Sequence, residues 1–159
     1  MEEKYSVSRA RALRIVGKRS ISAAEIKKRL IDKGDSEEVA DSTVNWLKEL
    51  GLINDLEYAH SIVRHYSEKG YGPARVRDEF FKRGIPKDMW DDVVKGELDD
   101  SDIEIAAIAF LEKKIKGNIE EVDLNHVSNA LVRRGFSYEQ ARQAISRYIE
   151  EIKENQNEL

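Results

Sequence analysis

The chain has 159 residues with no cysteine, 27 Lys and Arg against 31 Asp and Glu, a net charge of −4 and two prolines. Disulfides and thiolate metal sites are therefore excluded, a reducing cytosolic home is the expectation, and the whole-chain charge is not that of an ordinary nucleic-acid binder. The longest uncharged apolar run, Ile105–Leu111, is far too short for a membrane span, and no cationic and apolar leader pattern occupies Met1–Leu13, so a cytoplasmic location without membrane contact is expected.

A first helix is predicted over Ser8–Lys18, with Ala12, Leu13, Ile15 and Val16 as its apolar positions. Ser22 and Glu25 have capping-box spacing and open a second helix that Gly34 ends. Ser36 opens a third, carried by Val39, Ala40, Val44, Leu47 and Leu50 and stopped by Gly51. The next unit begins at Asn54, with Tyr58, Ala59, Ile62, Val63 and Tyr66 on one face. The stretch Gly72–Ile85 follows. Pro73 suits a first helical turn, Val76 and Phe80 lie four apart with Phe81 widening the stripe, and Gly84 ends the helix. A helix over Pro86–Lys95 closes that unit. The last unit opens at Ser101, inserts about four residues through Asn118–Val122, starts its middle helix near Asp123 and ends on a helix over Ser137–Ile152, beyond which a polar tail is expected to fray. No segment alternates long enough for a strand.

The middle helix is written three times. Glu25–Gly34, Arg75–Gly84 and His126–Gly135 align without a gap. Ile26, Val76 and Val127 are second in each copy, Leu30, Phe80 and Leu131 sixth, and each copy ends in a basic residue and glycine. Residues 54–70 and 101–117 also align without a gap, both closing in Lys-Gly, with Asn54–Glu57 and Ser101–Glu104 as equivalent cap pairs. A near-constant period of about 50 residues marks a repeat array, in which each unit buries its apolar face against its neighbour. The expected fold is all-α: three tandem three-helix repeats over residues 5–52, 53–97 and 98–153, with a disordered tail at 154–159.

These motifs resemble those of the RecX family, bacterial regulators of the RecA recombinase. Leu52–Ala59 (LINDLEYA) is similar to the family's leucine-x-(Asp/Asn)-Asp-x-x-(Phe/Tyr)-Ala pattern, Gly72–Ile85 (GPARVRDEFFKRGI) to its glycine-led basic helix, and Leu131–Ile145 to its C-terminal repeat. Phe80 stands where leucine is usual and Asn54 where an acidic residue is common. The resemblance implies an elongated, curved array, no catalysis, no cofactor, and docking as a monomer in the groove of a RecA filament on single-stranded DNA. The function it implies is modulation, chiefly inhibition, of that filament, limiting ATP hydrolysis and strand exchange in recombinational repair and the SOS response.

Local charge supports this separately. Residues 1–33 carry ten basic and four acidic residues, 64–87 seven and three, 113–147 seven and four. The intervening segments are acidic, with residues 88–112 carrying nine acidic groups and one basic. Basic first and second helices with acidic third helices suit a surface that meets phosphate on one side and a protein charge pattern on the other. The candidate contact residues are Arg64, Lys69, Tyr71, Arg75, Arg77, Lys82, Arg83, Arg133 and Arg134. Plainer roles stand beside these. Acidic helices can pair with basic neighbours inside the array, and a cation before each glycine can serve the helix C-terminus. Tyr71 can pack on the preceding helix, and Trp46 and Trp90 fit packing anchors.

No catalytic constellation is visible. His60 and His65 share no helix face, His126 is remote, and no phosphate loop, nucleophile elbow or zinc-helix motif occurs. Two other classes compete with the filament regulator. One is a helical adaptor that binds a protein and never meets nucleic acid. The other is a helix-turn-helix DNA reader, which the acidic third helices oppose, since those helices would face phosphate.

Overall fold

A computed structural model describes residues 2–158, and among them no strand occurs. Among the described residues, nine α-helices fall into three sets of three: α1 (Glu2–Val16), α2 (Ala23–Asp32) and α3 (Glu37–Glu49); α4 (Asp55–Glu68), α5 (Pro73–Lys82) and α6 (Trp90–Glu97); α7 (Asp100–Lys114), α8 (Leu124–Arg133) and α9 (Tyr138–Asn157). This is the tandem three-helix repeat expected from the sequence.

The middle helices α2, α5 and α8 end in the same way. The N–H groups of Asp35, Ile85 and Phe136 donate to the carbonyls of Leu30, Phe80 and Leu131 at 3.0, 2.9 and 3.1 Å. The glycine before each of them has positive φ, +110° at Gly34, +70° at Gly84 and +103° at Gly135. This closure satisfies carbonyls that the helix end would otherwise orphan, and it needs a residue without a Cβ at the left-handed position. The second and sixth residues of each copy are buried in all three repeats. Local capping and the core pattern thus repeat together.

The chain forms two compact units. One comprises Met1–Ser61 with Glu79–Trp90, the other Ile62–Asp78 with Asp91–Leu159. In the first, α1, α2 and α3 enclose Ala12, Ile26, Leu30, Ala40, Val44, Leu47 and Ile53, with Trp46 partly buried against them. Beneath them the Ser8 and Thr43 hydroxyls are 2.7 Å apart, a satisfied buried pair. Ser22 accepts from the Glu25 N–H at 3.1 Å while Glu25 accepts from the Ser22 N–H at 3.2 Å, completing the expected capping box. The Ser22 hydroxyl also donates to the Arg83 carbonyl. Asp55 accepts from the Ala23 N–H at 2.9 Å, capping α2 from the start of α4. Lys27 bridges Asp41 at 2.9 Å and Glu37 at 3.1 Å, and its hydrogen bond to Asp41, then that to Glu37, raises its pKa. Trp90 stacks on Phe80 with ring centres 5.9 Å apart and donates its indole N–H to the Ile85 carbonyl at 2.9 Å, the anchoring role expected of it.

In the second unit, Ala107, Leu111, Val127, Leu131, Phe136, Ala141 and Ala144 form the core of α7, α8 and α9. Alanines at the contact positions of α7 and α9 allow close approach of the two helices.

The structure departs from the sequence reading at several places. Phe81 does not widen the buried stripe: it is 78% exposed, because one residue beyond Phe80 lies about 100° further round the helix. Helix α1 begins at Glu2, where two glutamates complement the first turn, and ends at Val16. Helix α7 is capped by Asp99, which accepts from the Asp102 N–H at 2.8 Å, rather than by Ser101, although Asn54 does cap α4 by accepting from the Glu57 N–H at 3.1 Å. Pro86 opens a single 3-10 turn, Lys87–Met89, before α6 begins at Trp90. Helix α9 continues through Asn157, five residues beyond its last apolar position, because Glu, Lys and Gln are good helix formers even where nothing is buried.

Candidate functional site

The start of α5 is built against the end of α8, both in the second unit. The Gly72 N–H donates to the Arg134 carbonyl and the Ala74 N–H to the Gly135 carbonyl, each at 2.9 Å. Two glycines meet there. A Cβ on Gly72 would lie 2.5 Å from the Gly135 carbonyl carbon and oxygen, and one on Gly135 would lie 2.7 Å from the Arg75 nitrogen. Only paired backbones without side chains can approach this closely.

Around this joint stand three of the predicted contact residues. The Arg134 guanidinium lies 3.8 Å from the centre of the Tyr71 ring and 5.7 Å from that of Phe110, and donates to the Lys69 carbonyl at 2.6 Å. Arg75 stacks on Tyr71 at 4.9 Å and on Tyr66 at 5.5 Å. Tyr71 also meets Tyr66 edge-on, ring centres 5.7 Å apart. Cations on aromatic faces contribute about 0.5–2 kcal/mol each, more as water is excluded. Tyr71, Arg75 and Arg134 therefore hold the α5–α8 joint, the packing role that stood beside the contact role for Tyr71. Replacing Arg134 by Ala should lower stability by about 2 kcal/mol, read as a thermal midpoint lower by roughly 4–8 °C, whereas Arg133→Ala should leave it within about 0.5 kcal/mol.

The other predicted residues are dispersed. Arg64 pairs with Glu97 at 2.8 Å and Arg77 with Asp91 at 3.3 Å, both exposed bridges worth little net energy. The Lys69 and Arg133 side chains are exposed, with no acidic partner within 4 Å among the described residues. In the first unit, Arg83 donates to Glu79 at 3.2 Å and to the Tyr58 hydroxyl at 2.8 Å, and Lys82 lies 3.8 Å from Glu79. Glu79 is only 6% exposed, a buried carboxylate held by its cations. The aligned positions in the other copies are Arg29 and Ala130, so nothing in the repeat pattern signals that Glu79 is buried or that Tyr58 partners Arg83. Among the described residues, no group of three or more His, Cys, Asp or Glu is placed to hold a metal. No helix there is long and apolar enough to cross a membrane.

Among the described residues, three sets of three helices, each with the same glycine-closed middle helix, define an all-helical tandem-repeat protein. Residues 54–94 match the family model for the second three-helix domain of RecX. Over 142 residues the chain is 30% identical to the regulatory protein RecX of Vibrio parahaemolyticus, covering 87% of this chain and 90% of that one. The chain belongs to the RecX family of regulatory proteins. It is 29% identical over 139 residues to the RecX of Pseudomonas entomophila, covering 82% of this chain and 84% of the relative. Against the RecX of Pseudomonas putida it is 33% identical over 79 residues, a match that spans 51% of that relative's length. The crystal structure of RecX from Lactobacillus salivarius has the same fold, with a TM-score of 0.79 at 22% identity over 93% of this chain and 98% of that one.

Proposed function

We propose that this chain is a non-enzymatic, cytoplasmic modulator of RecA recombinase filaments, inhibitory in its main effect, that acts as a monomer on filaments carrying single-stranded DNA. Membership of the RecX family carries this reading. The three repeats, 5–52, 53–97 and 98–153, would act as successive contact modules along the filament. Exposed cations on the middle helices support it: Arg133 and Lys82 occupy the same position in their copies, and Arg77 is paired with an exposed aspartate. Arg75 and Arg134 would act by holding the α5–α8 joint rather than by touching the partner.

The decisive measurement is ATP hydrolysis by RecA on single-stranded DNA, titrated with this protein. Inhibition well below one copy per recombinase is the expected result. No effect at saturating amounts would overturn the reading in favour of a helical adaptor with another partner. The double reversal Arg77→Glu/Arg133→Glu should raise the concentration needed for half-inhibition by about tenfold, ~1.4 kcal/mol, with helical content unchanged.

A further inference from the structure

We infer that the groove along α7, in the second compact unit, is a docking site for a basic amphipathic helix of a protein partner. It runs between α7, the end of α6 and the turn from α4 to α5, and encloses about 330 Å³. Tyr71, Leu98, Ile103, Ile105, Ala109 and Phe136 give it apolar walls. Three carboxylates, Glu68, Glu97 and Asp102, stand among the lining residues, and no cation does.

Helix α7 is apolar on more sides than its own core uses. From Ile103 to Leu111 only Glu104 is polar. Ala107 and Leu111 are buried in the core of α7, α8 and α9, yet Ile105 is 64% exposed and Ala109, one turn on, is exposed as well. A helix that is apolar all round is ordinarily covered all round. Single apolar side chains scattered over a surface need no explanation. Here Leu98, Ile105 and Ala109 share one concavity with Tyr71 and Phe136. Contiguous apolar surface rimmed by polar groups marks an interaction site.

The rim sets the charge of the occupant. Arg64 holds Glu97 at 2.8 Å, whereas Glu68 and Asp102 are exposed and have no cation within 4 Å among the described residues. Residues 88–112 carry nine acidic groups and one basic, so the field at this face repels phosphate and draws in a cationic segment. Carboxylates would also keep a bare apolar face soluble, but that account asks for no concavity. A groove of this size takes on the order of two or three large side chains, which a docked helix supplies from positions i, i+3 or i+4, and i+7. Lysines and arginines flanking that stripe would meet the rim. The inference does not rest on the filament reading.

The test uses the full chain and a labelled helix-forming peptide of leucine and lysine, its leucines at i, i+3, i+4 and i+7, followed by fluorescence anisotropy. A peptide of the same composition with scattered leucines is the second arm, and an amphipathic leucine–glutamate peptide the third. Saturable one-to-one binding of the first, at least about tenfold tighter than of the other two, is the expected result. The variant I105Q should bind it about tenfold more weakly. The variant E68Q/D102N should lose a similar factor, about tenfold at low salt and less at high salt. All three side chains are exposed, and circular dichroism with the thermal midpoint reports whether each variant is folded. If I105Q does not fold, E68Q/D102N decides alone. The control E150Q/E154Q removes two carboxylates from α9, outside the groove, and should leave the affinity within about twofold. Equal binding of the scattered peptide, unchanged affinity in the groove variants, or an equal loss in the control would each overturn the inference. So would sedimentation showing a dimer that I105Q dissolves, since a second copy would then cover this face. The filament reading stands or falls separately, on the hydrolysis assay.

Discussion

Gly72→Ala is expected to lower stability by about 3–5 kcal/mol and the thermal midpoint by on the order of 10 °C. The added methyl has no flexible neighbour to displace. It would meet the Gly135 carbonyl carbon and oxygen at 2.5 Å and the Phe136 nitrogen at 2.7 Å, all of them backbone atoms. Relief requires α5 to move off the end of α8, which breaks the hydrogen bonds from Gly72 and Ala74 and strips Tyr71 from Arg134. Each backbone bond is worth about 1 kcal/mol net, and overpacking of this kind costs about 1–3 kcal/mol. Gly117→Ala is the comparison: its φ is +100° but no atom lies within 4 Å, so only backbone strain, about 1–2 kcal/mol, is at stake. Thermal unfolding followed by circular dichroism separates the two. A Gly72 variant as stable as the Gly117 variant would mean that the joint does not form in solution.

Phe80→Ala is expected to cost about 3–5 kcal/mol, while Phe81→Ala next to it should change stability by less than about 0.5 kcal/mol. Phe80 is fully buried and stacks on Trp90, so truncation leaves a cavity bounded by a ring that is also tied to the Ile85 carbonyl and cannot swing in freely. Phe81 is mostly in water. Phe80→Leu keeps most of the volume and should lose under about 1.5 kcal/mol. Urea unfolding midpoints at constant slope check all three, and a large loss at Phe81 would show that its face is covered in solution.

The contrast between these two phenylalanines shows what the sequence could reveal. Repetition was legible because capping and core positions are local and recur together: Ile26 with Leu30, Val76 with Phe80, Val127 with Leu131, each followed by its glycine. Single-copy features were not. Phe81 is as apolar as Phe80, and only the helix phase relative to neighbouring elements decides which is buried. The shift of the α7 cap from Ser101 to Asp99 has a similar cause, since three acidic residues and a serine in a row offer several caps and the backbone uses one. Among the contact residues, Tyr71 was open to either a packing or a contact role and Arg134 to a helix-end role. The structure brings Arg134 onto Tyr71 and Arg75 onto the same ring, and the reach from Arg134 back to Tyr71 spans a sequence separation that no local pattern encodes.

The α5–α8 joint also bears on how the chain is made. Arg134 and the Lys69 carbonyl it caps are 65 positions apart, and the Gly72 and Ala74 amides wait on carbonyls of similar separation. During synthesis, the amides that begin α5 emerge well before the strand of backbone that will accept from them. Closing so long a loop costs more conformational entropy than closing a local cap such as that of Ser22 with Glu25. The first unit has all its residues by Trp90, so it can mature while the second is still incomplete. A nascent chain stalled before Arg134 would expose the apolar flank of α5 with its leading amides unpaired, which makes the last repeat the step that commits the second unit to its native form.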